Sequence, residues 1–202
     1  MTHSTKERLL DTGLALLLEQ GYNHLGIDTL LKQAGVPKGS FYHHFRSKEA
    51  FALQVIEAYM AEVKEGLDAC LGDDSLPPLA RVRRFLELSK EKYRGEGYLG
   101  CLLGGLGQEL SGVNERFRRK VEECFSEIAR RFAACFELAK TRGELPADAD
   151  SRELADLLIN CWEGAALRSR LWRKPSPLDD VLDFYFGAVA GRGAPAPLVT
   201  PR

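Results

Sequence analysis

Long apolar runs are missing from this chain. No apolar run approaches the ~18 to 20 residues that a spanning helix needs. The first residues, Met1 to Arg8, lack the apolar core of a signal peptide. A cytoplasmic location with no membrane contact is the expectation. Cysteine is scarce and unpaired: Cys70, Cys101, Cys124, Cys135 and Cys161 are odd in number and far apart. There is no C-x-x-C pair and no histidine at ligand spacing, so neither a disulfide framework nor a zinc site is expected. Histidine is missing from most of the chain, because His3, His24, His43 and His44 all fall within the first fifty residues. The glycines Gly100, Gly104, Gly105 and Gly107 follow no strand pattern, and neither G-x-G-x-x-G nor G-K-[ST] occurs. No cofactor or metal is expected. Neither sign of charge dominates: the net charge is −1 and the isoelectric point near 6.4.

What remains is a helix-forming chain of 202 residues, 45% apolar and 28% charged, with no repeat and no convincing strand. Leu9, Leu10, Leu14, Leu16, Leu17 and Leu18 give a broad stripe over about 5–20, with Gly21 as a stop. Residues 28–34 form a second short helix between Gly26 and Gly35. After the segment discussed below, Ser47 caps a fourth helix reaching Cys70, whose face carries Phe51, Val55 and Tyr59. A fifth carries Leu79, Val82, Phe85, Leu86 and Tyr93 and ends at Gly95 to Gly97. Further helices are expected over 102–110, 114–141, 151–173 and 179–190, with the Gly-, Ala- and Pro-rich residues 191–202 as a disordered tail. The expected fold is therefore all-α, about nine helices, with a three-helix head and a helical body.

The most informative segment is Val36-Pro37-Lys38-Gly39-Ser40-Phe41-Tyr42-His43-His44-Phe45-Arg46. A short helix beginning near Lys38 presents Lys38, Ser40, Tyr42 and His43 or His44 outward, while Phe41 and Phe45 share the anchoring face. Cationic and hydrogen-bonding groups on a small, firmly held helix suit a DNA groove and its phosphates. Between Thr29 and Ser47 there are Lys32, Lys38 and Arg46 but no Asp or Glu, and Lys48 follows. A locally basic surface on a neutral protein is the expectation.

These residues, with Leu9, Gly13 and Gly21-Tyr22 before them and Ser47-Lys48-Glu49 after, resemble the TetR family of bacterial transcriptional regulators. The resemblance implies a helix-turn-helix DNA-binding domain over 1–48, with the fourth helix, 47–70, joining it to an effector-binding and dimerisation domain over 49–190. It implies that Tyr42 and Lys48 contact phosphates, that Lys38, Gly39, Ser40 and His43 lie nearest the bases, and that His44 lies nearer the backbone. A side chain at Gly39 would hold the helix away from DNA. The chain departs from the family at Leu25-Gly26-Ile27, where most members open the second helix with Thr or Ser. A backbone N–H must serve there. The implied partners are double-stranded DNA with a palindromic operator, a second copy of the chain and a small-molecule effector.

In the body, Gly100-Cys101-Leu102-Leu103-Gly104 and Gln108-Glu109-Leu110 resemble a branch that senses reactive electrophiles or small acids. Candidates for an effector or sensor site are Cys101, Tyr59, Phe85, Tyr93 and Trp162. A thiol at a helix start can become nucleophilic, while a buried free cysteine is usually inert packing. The expected function is a repressor released from its operator by a small effector. The alternatives are a cysteine-dependent enzyme using Cys101, which lacks a nearby histidine base, and a helical protein-binding adaptor.

Overall fold

The computed structural model describes residues 4–190, the last two by their backbone alone. Among the described residues there are nine helices and no strand. They are α1 (Thr5–His24), α2 (Ile27–Ala34), α3 (Ser40–His44), α4 (Lys48–Leu71), α5 (Pro78–Gly95), α6 (Leu102–Leu110), α7 (Glu115–Thr141), α8 (Ser151–Trp172) and α9 (Ser176–Ala190). The tail expected over 191–202 lies outside the described residues.

The helix starts follow from capping. Ser4 and Glu7 form a reciprocal box at α1. The Ser47 hydroxyl accepts from the Ala50 N–H at 3.0 Å, Asn114 caps α7 and Asp150 caps α8. Two ends differ from the expected ones. The first helix does not stop at Gln20: Gly21 kinks it (φ 76°, ψ 178°) and a further turn runs to His24. A carboxylate makes that turn possible, since Glu109 on α6 accepts from the Tyr22 and Asn23 N–H groups, each at 2.7 Å. The last helix begins at Ser176 rather than Asp179, because Pro177 falls in the first turn, where its missing N–H costs nothing.

Two cores result. Leu9, Leu16, Leu30, Phe41, Phe45 and Phe51 fill the head, and this core runs on into α6 and α7 through Leu102, Leu106 and Phe117. The expected boundary at residue 48 therefore falls on the first residue of a helix whose next turns are packed into that same core. The second core joins α5, α7, α8 and α9 through Val82, Leu86, Phe132, Phe136, Leu158 and Leu182. Cys124 and Cys135 pack one in each core.

Candidate functional site

The turn between α2 and α3 is built by backbone. Gly35 adopts a left-handed conformation (φ 62°), and Val36 N–H reaches back to the Leu31 carbonyl at 3.0 Å, so the α2 carbonyls are satisfied and the chain reverses. Val36 is buried under the turn. Arg8 on α1 donates to the Ala34 carbonyl and, at 3.0 Å, to the Gly35 carbonyl, fastening the turn to the first helix. Behind α3, the rings of Phe41, Phe45 and Phe51 meet with centroids 4.8 to 5.4 Å apart, and all three are buried. A five-residue helix has too few internal hydrogen bonds to hold itself. This aromatic cluster holds it instead, each ring contributing about 1.5 to 3 kcal/mol by burial. Gly13 admits the Phe51 ring between α1 and α4, since a methyl there would overlap it.

The outward side of α3 carries the residues expected there. Tyr42 is 67% exposed, propped edge-on against Phe41. Lys38, Gly39 and His43 are exposed, Ser40 and His44 half-buried. Lys38 reaches Asp28 at 3.4 Å, a solvent-exposed pair that a phosphate can displace at little cost. Gly39 has nothing within 4 Å of where a Cβ would stand, and its φ of −73° suits any residue. No packing within the protein requires glycine there. Lys48 is more engaged: its ammonium lies 4.6 Å from the centre of the Tyr22 ring and 3.4 Å from the Asn23 carbonyl. Partial burial lowers its pKa, against an opposing pull from Glu109. The Gly26 start of α2 has no side-chain cap, so its N–H groups remain free for a phosphate.

In the body, Cys101, Tyr59, Phe85, Tyr93 and Trp162 come from four different elements to the wall of one cavity of ≈ 50 Å³. The Tyr59 hydroxyl lies 3.8 Å from the Cys101 sulfur, and the Tyr93 and Trp162 rings are tilted with centroids 6.3 Å apart. The same wall contains Glu163, which the sequence reading missed. Burial pushes its carboxyl up to about 7, against a smaller opposing pull from the neighbouring Cys101. Burial, then the nearby Glu163 charge, push the Cys101 thiol far up, and the Gly104 N–H does not offset them. Burial likewise holds the Tyr59 and Tyr93 phenols well above their ordinary value. Gly104 makes room for Glu163, whose carboxylate would overlap any side chain at that position. Beyond Glu163 a cleft of ≈ 670 Å³ opens between α6, α7 and α8. The sequence contained one clue: Glu163 follows Trp162 inside the apolar stripe of α8.

Two further features complete the site. On α8 and α9, Leu157, Leu167, Leu171, Trp172 and Phe184 are exposed, the last by 80%. These are the large apolar side chains that α8 and α9 leave uncovered. The region between cavity and head is spanned by α6, which has Cys101 as its N-cap and carries Glu109, the acceptor for the end of α1.

A helix-turn-helix on a helical body that encloses a cavity is the architecture of a ligand-responsive DNA-binding regulator. Residues 9–55 match the family model "Bacterial regulatory proteins, tetR family", and residues 78–185 match "Tetracyclin repressor-like, C-terminal domain". The chain belongs to the TetR family, and it is a DNA-binding transcriptional regulator rather than an enzyme. It is 43% identical over 173 residues to the transcriptional regulator AcuR of Cereibacter sphaeroides, covering 85% of this chain and 79% of that one. It is 33% identical to the transcriptional repressor DhaR of Mycobacterium sp. strain GP1, covering 91% of each. Among solved structures, the regulatory protein TetR from Rhodobacter sphaeroides superposes with a TM-score of 0.85 at 42% identity, covering 89% of this chain and 95% of that one. Escherichia coli NemR in its reduced form superposes with a TM-score of 0.80 at 28% identity, covering 94% and 100%. No described helix is long and apolar enough to cross a membrane.

Proposed function

We propose that this regulator is a repressor that binds a palindromic operator as a homodimer and releases it when a small effector occupies the body cavity. The outward face of α3 and the turn before it carries the DNA reading: Lys38, Ser40, Tyr42 and His43 point away from the Phe41, Phe45 and Phe51 cluster that holds the helix. The open space around Gly39 leaves room for close approach of a duplex. In this reading Lys38, Gly39, Ser40 and His43 face the bases, Tyr42 and Lys48 hold phosphates and His44 lies beside the backbone. One such helix reads too little DNA to be selective. Two copies joined through the exposed apolar residues of α8 and α9 would read two half-sites in successive major grooves. The relatives named as repressors support the sign of the response.

The effector works only through a difference in affinity between DNA-competent and released conformations. Helix α6 is the proposed link, since one end lines the cavity and the other holds α1 through Glu109. The chemistry of the cavity weighs against the two effector classes expected from the sequence. An electrophile needs a thiolate, and the surroundings of Cys101 keep its thiol protonated. A small acid would place a second carboxylate beside Glu163.

Fluorescence-anisotropy titration against palindromes from the chain's own promoter, at several salt concentrations, tests the proposal. Binding should weaken steeply with salt. Tyr42→Ala should abolish it while leaving folding and dimerisation unchanged. Lys48→Ala should do the same, with a small loss of stability from the Asn23 contact. Salt-insensitive binding, or full binding by Tyr42→Ala, would refute the assignment.

A further inference from the structure

The cavity holds a carboxylate without a counter-ion. Glu163 shares the cavity wall with Cys101, and no Lys, Arg or His among the described residues forms an ion pair with it. Of the cations nearby, Arg152 in the outer cleft is bound to Asp156 at 2.9 Å. Arg170 borders the recess next to Glu163, but its guanidinium donates to the Leu99 carbonyl at 2.9 Å and, at 3.4 Å, to that of Glu19. The approach is acidic as well, because Glu122 and Asp156 flank the cleft with Arg152 as their only opposing cation among its lining residues.

A half-buried carboxyl that pairs with nothing positive costs the fold stability. Gly104, in the first turn of α6, leaves open the space that the tip of the Glu163 side chain occupies. The carboxylate thus stands beside a glycine, with no cation to neutralise it. The same cavity wall carries three electron-rich rings, Tyr59, Tyr93 and Trp162. Rings of this kind attract cations by their faces, and Tyr59 already does so on its outer side, where the Lys92 ammonium lies 5.6 Å from the ring centre.

We infer that the cavity is a receptor for a small organic cation, a protonated amine or quaternary ammonium, with Glu163 as counter-ion and the Tyr59, Tyr93 and Trp162 rings as walls. The inference rests on the proposed function in treating the cavity as the effector site. Anions are refused by Glu163 and by the acidic cleft, and uncharged molecules of the same shape lose the charge term. Binding of a cation favours the ionised carboxyl, so affinity should rise with pH through the region near 7 where Glu163 loses its proton. The other titratable or charged groups around Glu163 are Tyr59, Tyr93, Cys101, Glu122, Arg152, Asp156 and Arg170. Tyr59, Tyr93 and Cys101 are held far above neutral, so they stay protonated across this range.

The test is isothermal titration calorimetry on the full chain without DNA. The probes are methylammonium, tetramethylammonium and choline, set against 3,3-dimethyl-1-butanol, the uncharged isostere of choline, and 3,3-dimethylbutanoate as the anion. At least one cation should bind about tenfold or more tightly than the isostere, and more tightly at pH 8 than at pH 6. Glu163→Gln should erase that preference, and Gly104→Ala, which displaces the carboxylate without removing it, should weaken it. Circular dichroism melting confirms that each variant is folded. Equal binding of isostere and cation, tighter binding of the anion, or no binding by any of the three cations would overturn the inference. A cation that binds but leaves the protein on its operator would uphold the receptor and refute the effector role. Failure to bind DNA would refute the regulatory reading and leave the calorimetry unaffected.

Discussion

Replacing Gly21 by alanine should damage the protein in two separable ways. The backbone there (φ 76°, ψ 178°) lies in a region almost reserved for glycine, and an alanine held in it costs about 1 to 3 kcal/mol. The new Cβ would also stand 2.6 Å from a Glu109 oxygen, so the carboxylate must withdraw from the Tyr22 and Asn23 N–H groups. Hydrogen bonds to a charged acceptor are worth about 1.5 to 3 kcal/mol each when buried. These lie near the surface, where water replaces part of the loss, so about 2 kcal/mol for the pair is reasonable. The total for Gly21→Ala is therefore about 3 to 5 kcal/mol, and Glu109→Ala alone should cost about 2. Because the second part of the glycine effect acts through Glu109, the double variant should be less destabilised than the sum by about 1 to 2 kcal/mol. Urea unfolding of the four proteins at one fixed protein concentration measures this, since dimerisation would otherwise shift the midpoints. Strict additivity would refute the idea that the carboxylate and the kink form one device.

Gly13→Ala should destabilise by about 1 to 3 kcal/mol, because the Phe51 ring fills the space and must be pushed off α1; thermal melting checks it. Alkylation of Cys101 by iodoacetamide at pH 8 should be at least about tenfold slower in the folded protein than in urea, since burial and Glu163 keep the thiol protonated. Peptide mass spectrometry over time follows this, and equal rates would contradict the described surroundings. Glu163 has a folded pKa near 7 against an ordinary carboxylate value when unfolded, so the folded state binds the extra proton. Wild-type stability relative to Glu163→Gln should thus be highest below about pH 4 and fall as pH rises to 7, by no more than about 3 kcal/mol. Paired denaturation curves at several pH values would reveal a flat or opposite trend if this sign is wrong.

The local features were readable because their causes are local. Ser47 as a cap, Gly35 as a left-handed terminator and the Phe41 to Phe45 step each depend on residues within one or two turns. The same holds for Tyr59, Phe85, Tyr93 and Trp162, whose apolar periodicity places them inward, although nothing in that periodicity says that they meet. The groups that escaped notice depend on distant partners. Glu109 caps a turn 86 and 87 residues earlier in the chain. Glu163 gains its character from Gly104 and Cys101 on another helix. Gly13 has its reason in Phe51, a residue of another helix 38 positions later in the chain. A pattern within one segment records which side of a helix is dry and leaves out what waits there.

The Arg170 side chain links pieces whose roles differ. It stems from α8, a helix with an open apolar face, and its guanidinium grips the Leu99 carbonyl beside the cavity and the Glu19 carbonyl of the first helix. In the dimer proposed above, this one rivet would tie the helix that carries the subunit seam to the cavity wall and to the mount of the DNA-reading head. A tilt of one subunit against the other would then pull on that mount directly, gearing the spacing of the two heads to the seam even with the chamber empty.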